Sequence, residues 1–190
     1  MGQWIQLMGS TIISGYIIFI ILNLNSTMSS TTSRYYQNSL NQRNAITIGQ
    51  TVEYDFYKIG FNTSGNKILQ ADSSTLKFVC DLNNAGGSDT MTYSLSATGK
   101  VSNTPNPNDK LLYRQHNSGT SYSLGTVTRF YMQYYDSLLN NLSYTSLTSQ
   151  TTRSTIRVIR AYIKTEIASQ ADKSYYPLEW QKDFKPRNMK

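Results

Sequence analysis

The side chains in this sequence that could do chemistry are few, and their spacing favours binding or structure over catalysis. The densest group lies in DLNNAGGSD, where Asp81, Asn83 and Asp89 bring oxygen atoms around Gly86, as a loop that wraps calcium does. Ala85 occupies a position where a ligand is expected, and no acidic residue closes the loop. A glycine-rich hairpin turn is therefore the first expectation and calcium the alternative. His116 is the one histidine, without a nearby cysteine, and reads as a surface side chain rather than a catalytic base. Serines are abundant, but none sits in a nucleophile-elbow pattern, and no acidic pair is spaced for general acid and base work. The expectation is a protein that is not an enzyme and carries no cofactor beyond that calcium candidate. Cys80 is the only cysteine, which excludes an intrachain disulfide and a thiolate metal cluster. Asn25, Asn62 and Asn141 each open an Asn-X-Ser/Thr triplet and are candidate glycan acceptors. The 15 tyrosines invite a reading as an electron route or a sugar-binding face, but their spread suits packing and subunit contacts better.

The elements that must position these residues begin with a hydrophobic segment. Residues 1–25, MGQWIQLMGSTIISGYIIFIILNLN, contain no Asp, Glu, Lys, Arg or His, and a helix from Trp4 to Leu24 would be about 30 Å long, the thickness of a hydrocarbon core. A secretory signal peptide fits less well, because a basic start, a short apolar core and a small-residue cleavage site are not evident. A buried helix of a soluble domain would be shorter and amphipathic. Residues 25–33, NSTMSSTTS, read as a flexible linker or hinge, since Ser and Thr compete for their own backbone. Beyond it Tyr36, Leu40, Ile48, Val52, Phe56 and Ile59 recur mostly at four-residue intervals and predict an amphipathic helix stopped by Gly60. Residues 26–60 are thus a hinge and helix continuation, and 61–190 a β-rich head.

Strand patterns fill that head. Leu76, Phe78 and Cys80 alternate with Lys77, Val79 and Asp81, and Met91, Tyr93 and Leu95 share a face after the glycine-rich loop, which predicts a hairpin. The polar stretch KVSNTPNPNDK carries two prolines and cannot lie within a sheet, and LLYR follows at 111–114. GTVTRFYMQYYD from Gly125 reads as one strand with Phe130, Met132 and Tyr134 on one face. TIRVIRAYIKTEI from Thr155 reads as another, with Ile159, Ala161, Ile163 and Ile167 opposite Arg160, Tyr162, Lys164 and Glu166. The fold class expected is α+β: a long N-terminal helix whose second half lies across an antiparallel sheet in two layers.

Net charge is +7, but the basic residues do not form one block with stacking aromatics, so nucleic acid is not an expected partner. Arg153, Arg157, Arg160 and Lys164 fall in one segment; Lys182, Lys185, Arg187 and Lys190 fall in a tail that includes Asp183 and reads as a solvated or subunit-contacting end. The positive-inside rule does not orient the span, because no Lys or Arg precedes it.

In order along the chain, the hydrophobic helix, its amphipathic continuation and the β-rich head resemble the type IV pilin-like proteins, in particular the minor pilins and J-type pseudopilins. VEYDFYKIGF at 52–61 is similar to the segment where that family's helix ends. ILQADSSTLKFVCDLNNAGG and DTMTYSL resemble its first hairpin, and DFKPRN its terminal segment. IQLM at 5–8 is similar to the family's I-E-L-M, with Gln6 in place of Glu; no basic leader precedes it. A neutral Gln accepts a hydrogen bond from a neighbouring amine without neutralising it. It also removes the cost of several kcal/mol for burying a carboxylate among apolar helices.

The resemblance implies a structural subunit of an extracellular, pilus-like filament, inserted in the membrane before assembly, with identical subunits in a helical homopolymer as partners. Trp4, Ile5, Gln6, Ile12, Ile13, Ile17, Ile18, Ile20 and Ile21 are the expected assembly residues, and Gly9, Ser10, Ser14 and Gly15 would permit close helix approach. The alternative from another class is a monomeric membrane-anchored binding module, an adhesin or minor tip subunit that presents its tyrosine-rich sheet. An anchored enzyme, the third option, would need a pocket of convergent titratable groups.

Overall fold

In the computed structural model, which describes residues 2–97, 101, 104, 106–168 and 175–189, the apolar segment and the stripe after it form one unbroken helix, α1 (Gly2–Tyr57). The linker expected at 25–33 is therefore helical. Its hydroxyls do not disrupt the ladder but fold back onto it: Thr27 Oγ1 donates to the Asn23 carbonyl and Ser30 Oγ to that of Thr27, both at 2.9 Å. Such back-bonding lets Ser and Thr sit inside a helix, and apolar helix on one side with packed helix on the other propagates through the weak stretch. The helix ends as Lys58 and Ile59 donate to the carbonyls of Asp55 and Phe56 three residues back. Gly60 then adopts φ +72°, a left-handed conformation that suits glycine, and its N–H donates to the Val79 carbonyl at 2.8 Å. That bond ties the helix end to the sheet.

The chain continues through β1 (Ile68–Ala71), β2 (Thr75–Cys80), β3 (Asp89–Leu95), β4 (Lys110–His116), β5 (Ser121–Val127), β6 (Arg129–Tyr135), β7 (Asn141–Leu142), a 3-10 turn (Ser146–Thr148), the single-turn α2 (Gln150–Arg153), β8 (Val158–Ala168) and β9 (Tyr175–Phe184). The fold is α+β, as expected, but the strands form two antiparallel sheets rather than one: β1-β2-β3-β4-β5 and β7-β6-β8-β9. The segment read as one strand from Gly125 is divided between them at Thr128. Val127 faces the core, and the next inward residue is Phe130, so the alternation slips by one and the strand changes sheets. Thr128 N–H and Oγ1 both donate to the Lys164 carbonyl, at 2.8 and 3.1 Å, which stitches the two sheets at the break.

The hairpin of β2 and β3 has the expected pairing face, with Leu76 opposite Tyr93 and Phe78 opposite Met91. The tail departs from expectation: β9 pairs with the whole of β8, from Ala168 opposite Tyr175 to Ile159 opposite Phe184. Only Lys185 and Arg187 of its basic residues beyond the strand are solvated; Lys190 lies outside the described residues, as does Pro105 of the two-proline loop.

The core joins three elements. Ile48, Val52 and Phe56 of the helix and Ile59 of the turn after it are buried, and the Phe56 ring meets Phe78 and Tyr93 of the first sheet and Phe184 of the second edge-on, at 5.9, 5.4 and 5.1 Å. Edge-on aromatic pairs add about 0.5–1.5 kcal/mol each beyond the burial of their area. Tyr36 and Leu40, placed on the packed stripe by their spacing, are instead exposed; the first buried helix residues are Asn41 and Ala45. The head covers only the last third of α1.

Candidate assembly surface

From Gly2 to beyond Leu24 the helix carries no cover. All of the residues expected from the sequence to mediate assembly lie here, and Trp4, Ile5, Ile12, Ile13, Ile17, Ile18, Ile20 and Ile21 are exposed, from 74% for Trp4 to 40% for Ile20; Gln6 is exposed among them. At 100° per residue, Ile13 and Ile20 point to one side, Trp4 and Leu22 to nearly the opposite one, and Ile5, Ile12 and Phe19 between them. Large apolar side chains point to every side, which is the pattern of a helix surrounded by apolar material and not of one lying on a domain. By length and composition this is the one described helix able to cross a membrane.

Gly9 and Gly15 have open space where a Cβ would stand. With Ser10 and Ser14 they do not form one stripe, because Gly9 and Gly15 lie six residues apart and on different sides. The fourteen large apolar side chains between Trp4 and Leu24 are all exposed. At about 1 kcal/mol or more each, covering them is worth roughly 15 kcal/mol before ordering costs. The first charged side chain is Arg34, so no side-chain charge opposes that burial.

What holds this helix to its head is a cluster that periodicity did not disclose. Asp55, fully buried in the last turn of the helix, accepts from Arg114 Nε at 2.6 Å on Oδ2 and from Nη2 at 3.1 Å on Oδ1. The Tyr93 hydroxyl donates to Oδ2 at 2.5 Å. Burial, then the Asp55 charge, pushes the Tyr93 phenol far above its usual range, so it stays a donor. Nearby, Gly49 makes room for the Trp180 indole, whose ring atoms lie 3.1 Å from where a Cβ would stand. Lys182 donates to Glu53 Oε1 at 2.5 Å across the same face. Asp55 and Gly49 could have been singled out as a charge and a gap on an otherwise apolar helix face.

The calcium-candidate loop is a closed hydrogen-bonded turn. Asp81 accepts from Asn62 Nδ2 at 2.7 Å, from Gly86 N–H at 3.0 Å and from Ala85 N–H at 3.2 Å, and Asn83 Oδ1 accepts from the same Ala85 N–H at 3.0 Å. Asp89 accepts from Leu82 N–H and from Asn117 Nδ2, each at 3.0 Å. These donors, led by the Asn62 amide for Asp81 and the Asn117 amide for Asp89, hold both carboxyls below their usual range. Among the described residues no group of three or more His, Cys, Asp or Glu side chains is arranged to hold a metal ion. His116, half-exposed, stands 3.0 Å from Asp89 Oδ1, a partner that the sequence did not suggest.

Cys80 is buried and free, its thiol pushed up to about 11 chiefly by that burial. Asn25 is exposed on the bare helix and Asn141 on β7. Asn62 sits at φ +50° with its amide donating to Asp81, so a glycan there would displace a bond of the turn. The tyrosines divide between core positions such as Tyr93 and Tyr134 and exposed ones such as Tyr35 and Tyr122, with one stacked pair, Tyr131 and Tyr162, across β6 and β8 at 4.7 Å.

Comparison of the chain with protein-family models, with curated proteins and with solved structures finds no match.

Proposed function

We propose that this chain is a structural subunit of an extracellular, pilus-like filament, polymerising through the first half of α1, and that the same half sits in lipid before assembly. The observation that carries this reading is the bare stretch from Trp4 to Leu24: apolar on every side, free of charge, and rigidly continuous with a head that covers none of it. A helix of that kind needs a surrounding of its own polarity, which lipid or neighbouring copies supply. Contacts of one copy's helix with different faces of the next do not close, and such heterologous contacts build helical filaments. The activity proposed is assembly, and its partners are identical subunits.

The test is electron microscopy of the full chain recovered without detergent. Wild-type protein is expected to form long fibres. Ile13→Asp and Ile17→Asp, each placing a charge that costs about 3 kcal/mol or more in an apolar surrounding, are expected to form none. Fibres that persist in both variants refute assembly through this helix. Wild-type protein that stays as single particles in detergent, with no fibres under any condition, refutes the filament and leaves the anchored binding module.

A further inference from the structure

Beside the C-terminal end of α1, at the far end of the molecule from the apolar half, three separate segments enclose a cavity of about 190 Å³. The turn before β1 contributes Lys67, α2 and the turn after it contribute Gln150, Arg153 and Arg157, and Ile156 and Met189 form apolar walls. No acidic residue is among the described residues that line it. Three cations thus share one concavity without a carboxylate.

Four other cations of the head are neutralised by carboxylates. Arg114 pairs with Asp55, Arg160 with Asp183, Lys164 with Glu166 and Lys182 with Glu53. Among the described residues, the three cavity cations are anchored by neutral oxygens alone. Arg153 donates through Nη1 to the carbonyls of Leu147 and Thr148, at 2.8 and 2.7 Å, and through Nε and Nη2 to Gln150 Oε1. Lys67 Nζ donates to the Asn188 carbonyl. Arg157 is the informative one. Its Nη1 donates to the carbonyls of Ser154 and Ile156, at 2.7 and 2.9 Å, which fixes the plane of the guanidinium. Its Nε and Nη2 make no hydrogen bond among the described residues.

That free edge is the fork that takes two oxygens of one anion in parallel. All three cations are half-buried, where an uncompensated charge is more costly than in water and attracts a counter-ion more strongly. We infer that this cavity binds a phosphoryl dianion, as inorganic phosphate or a small phosphate monoester, with two oxygens on the Nε and Nη2 edge of Arg157 and the charge of Lys67 and Arg153 around it. Three positive charges match a dianion better than a carboxylate, and the apolar walls of Ile156 and Met189 offer a surface to the organic part of a monoester. The site is independent of the assembly surface.

The experiment is isothermal titration calorimetry of the full chain in a non-ionic detergent at constant ionic strength, with inorganic phosphate, glycerol 3-phosphate and acetate. Saturable one-to-one binding of phosphate is expected, at least tenfold tighter than acetate. Tighter binding of glycerol 3-phosphate identifies a monoester as the preferred form, and tighter binding of phosphate identifies the free ion. Arg157→Gln is expected to weaken either at least tenfold, and Arg157→Lys, which keeps the charge but loses the fork, several-fold. Arg43→Gln, an exposed cation on α1, is expected to change nothing. If Arg157→Gln does not fold by circular dichroism, Lys67→Gln is read in its place, with the same tenfold loss expected. Phosphate binding no tighter than acetate, or unchanged in the folded cavity variant, overturns the inference.

Discussion

Replacing the buried partners one at a time at the junction of helix and head should be strongly destabilising, and the two replacements should differ. Arg114→Leu leaves the Asp55 carboxylate with no access to water and only the Tyr93 hydroxyl as a donor. Breaking a buried ion pair from one side costs about 3–5 kcal/mol, and this variant should lie near about 5 kcal/mol. Asp55→Leu leaves Arg114, whose side chain is 24% exposed and able to turn toward water, so its cost should lie near about 3 kcal/mol. At about 2–4 °C per kcal/mol for a domain of this size, Arg114→Leu should melt about 15 °C below wild type. The double variant leaves no stranded charge and should cost less than Arg114→Leu alone, a coupling of at least about 2 kcal/mol. Urea unfolding of the full chain in non-ionic detergent, followed by circular dichroism at 222 nm (about the usual helix band), measures all four corners of the cycle. A coupling under about 0.5 kcal/mol, or a larger loss from Asp55→Leu than from Arg114→Leu, would refute the claim that this cluster clamps the helix.

Two further outcomes follow from the same packing. Asp109 is buried, and burial, followed by the nearby Glu166 charge, raises its carboxyl above the usual range against an opposing Thr104 hydrogen bond. A raised folded value favours the protonated form, so its contribution is present at acid pH and is lost as pH rises through that value. Asp109→Asn should therefore raise the melting temperature at pH 7 and give no gain at pH 4; a gain of equal size at both would show that burial of charge is not the cause. Gly49→Val inserts a branched side chain where even a Cβ stands 3.1 Å from the Trp180 ring, and overpacking of this kind costs about 1–3 kcal/mol. The check is a urea melt with Trp180 emission in a Trp4→Phe background, where an unchanged midpoint and spectrum would contradict it.

Much of the architecture was legible because it rests on period. The apolar run, the stripe through Ile48, Val52 and Phe56, and the alternation in β2, β3 and β8 each follow directly from which faces are buried. The helical linker is not legible because the propensity of Ser and Thr is local, whereas helix formation is cooperative and the flanking helices are stronger. The two sheets were hidden in a one-residue slip at Thr128 that looks, in sequence, like continued alternation. β9 was hidden because its outward residues, Glu179, Gln181 and Asp183, are polar and its inward ones include Lys182, so charge masked the period. The Asp55 cluster joins residues 38 and 59 positions apart, and the cavity cations come from separate segments of the chain. Only the fold brings such pairs together, and spacing carries no trace of them.

The notch at Gly49 has a mechanical meaning. With Trp180 seated against it and Asp55 gripped one and a half turns further on, α1 is keyed into the head like a splined shaft. Rotation by even one residue, about 100°, would drive a side chain into the indole and pull Asp55 from its partners. Torque applied to the bare end is therefore transmitted to the head without slip. The azimuth at which the stalk meets its surroundings then dictates which way the head faces.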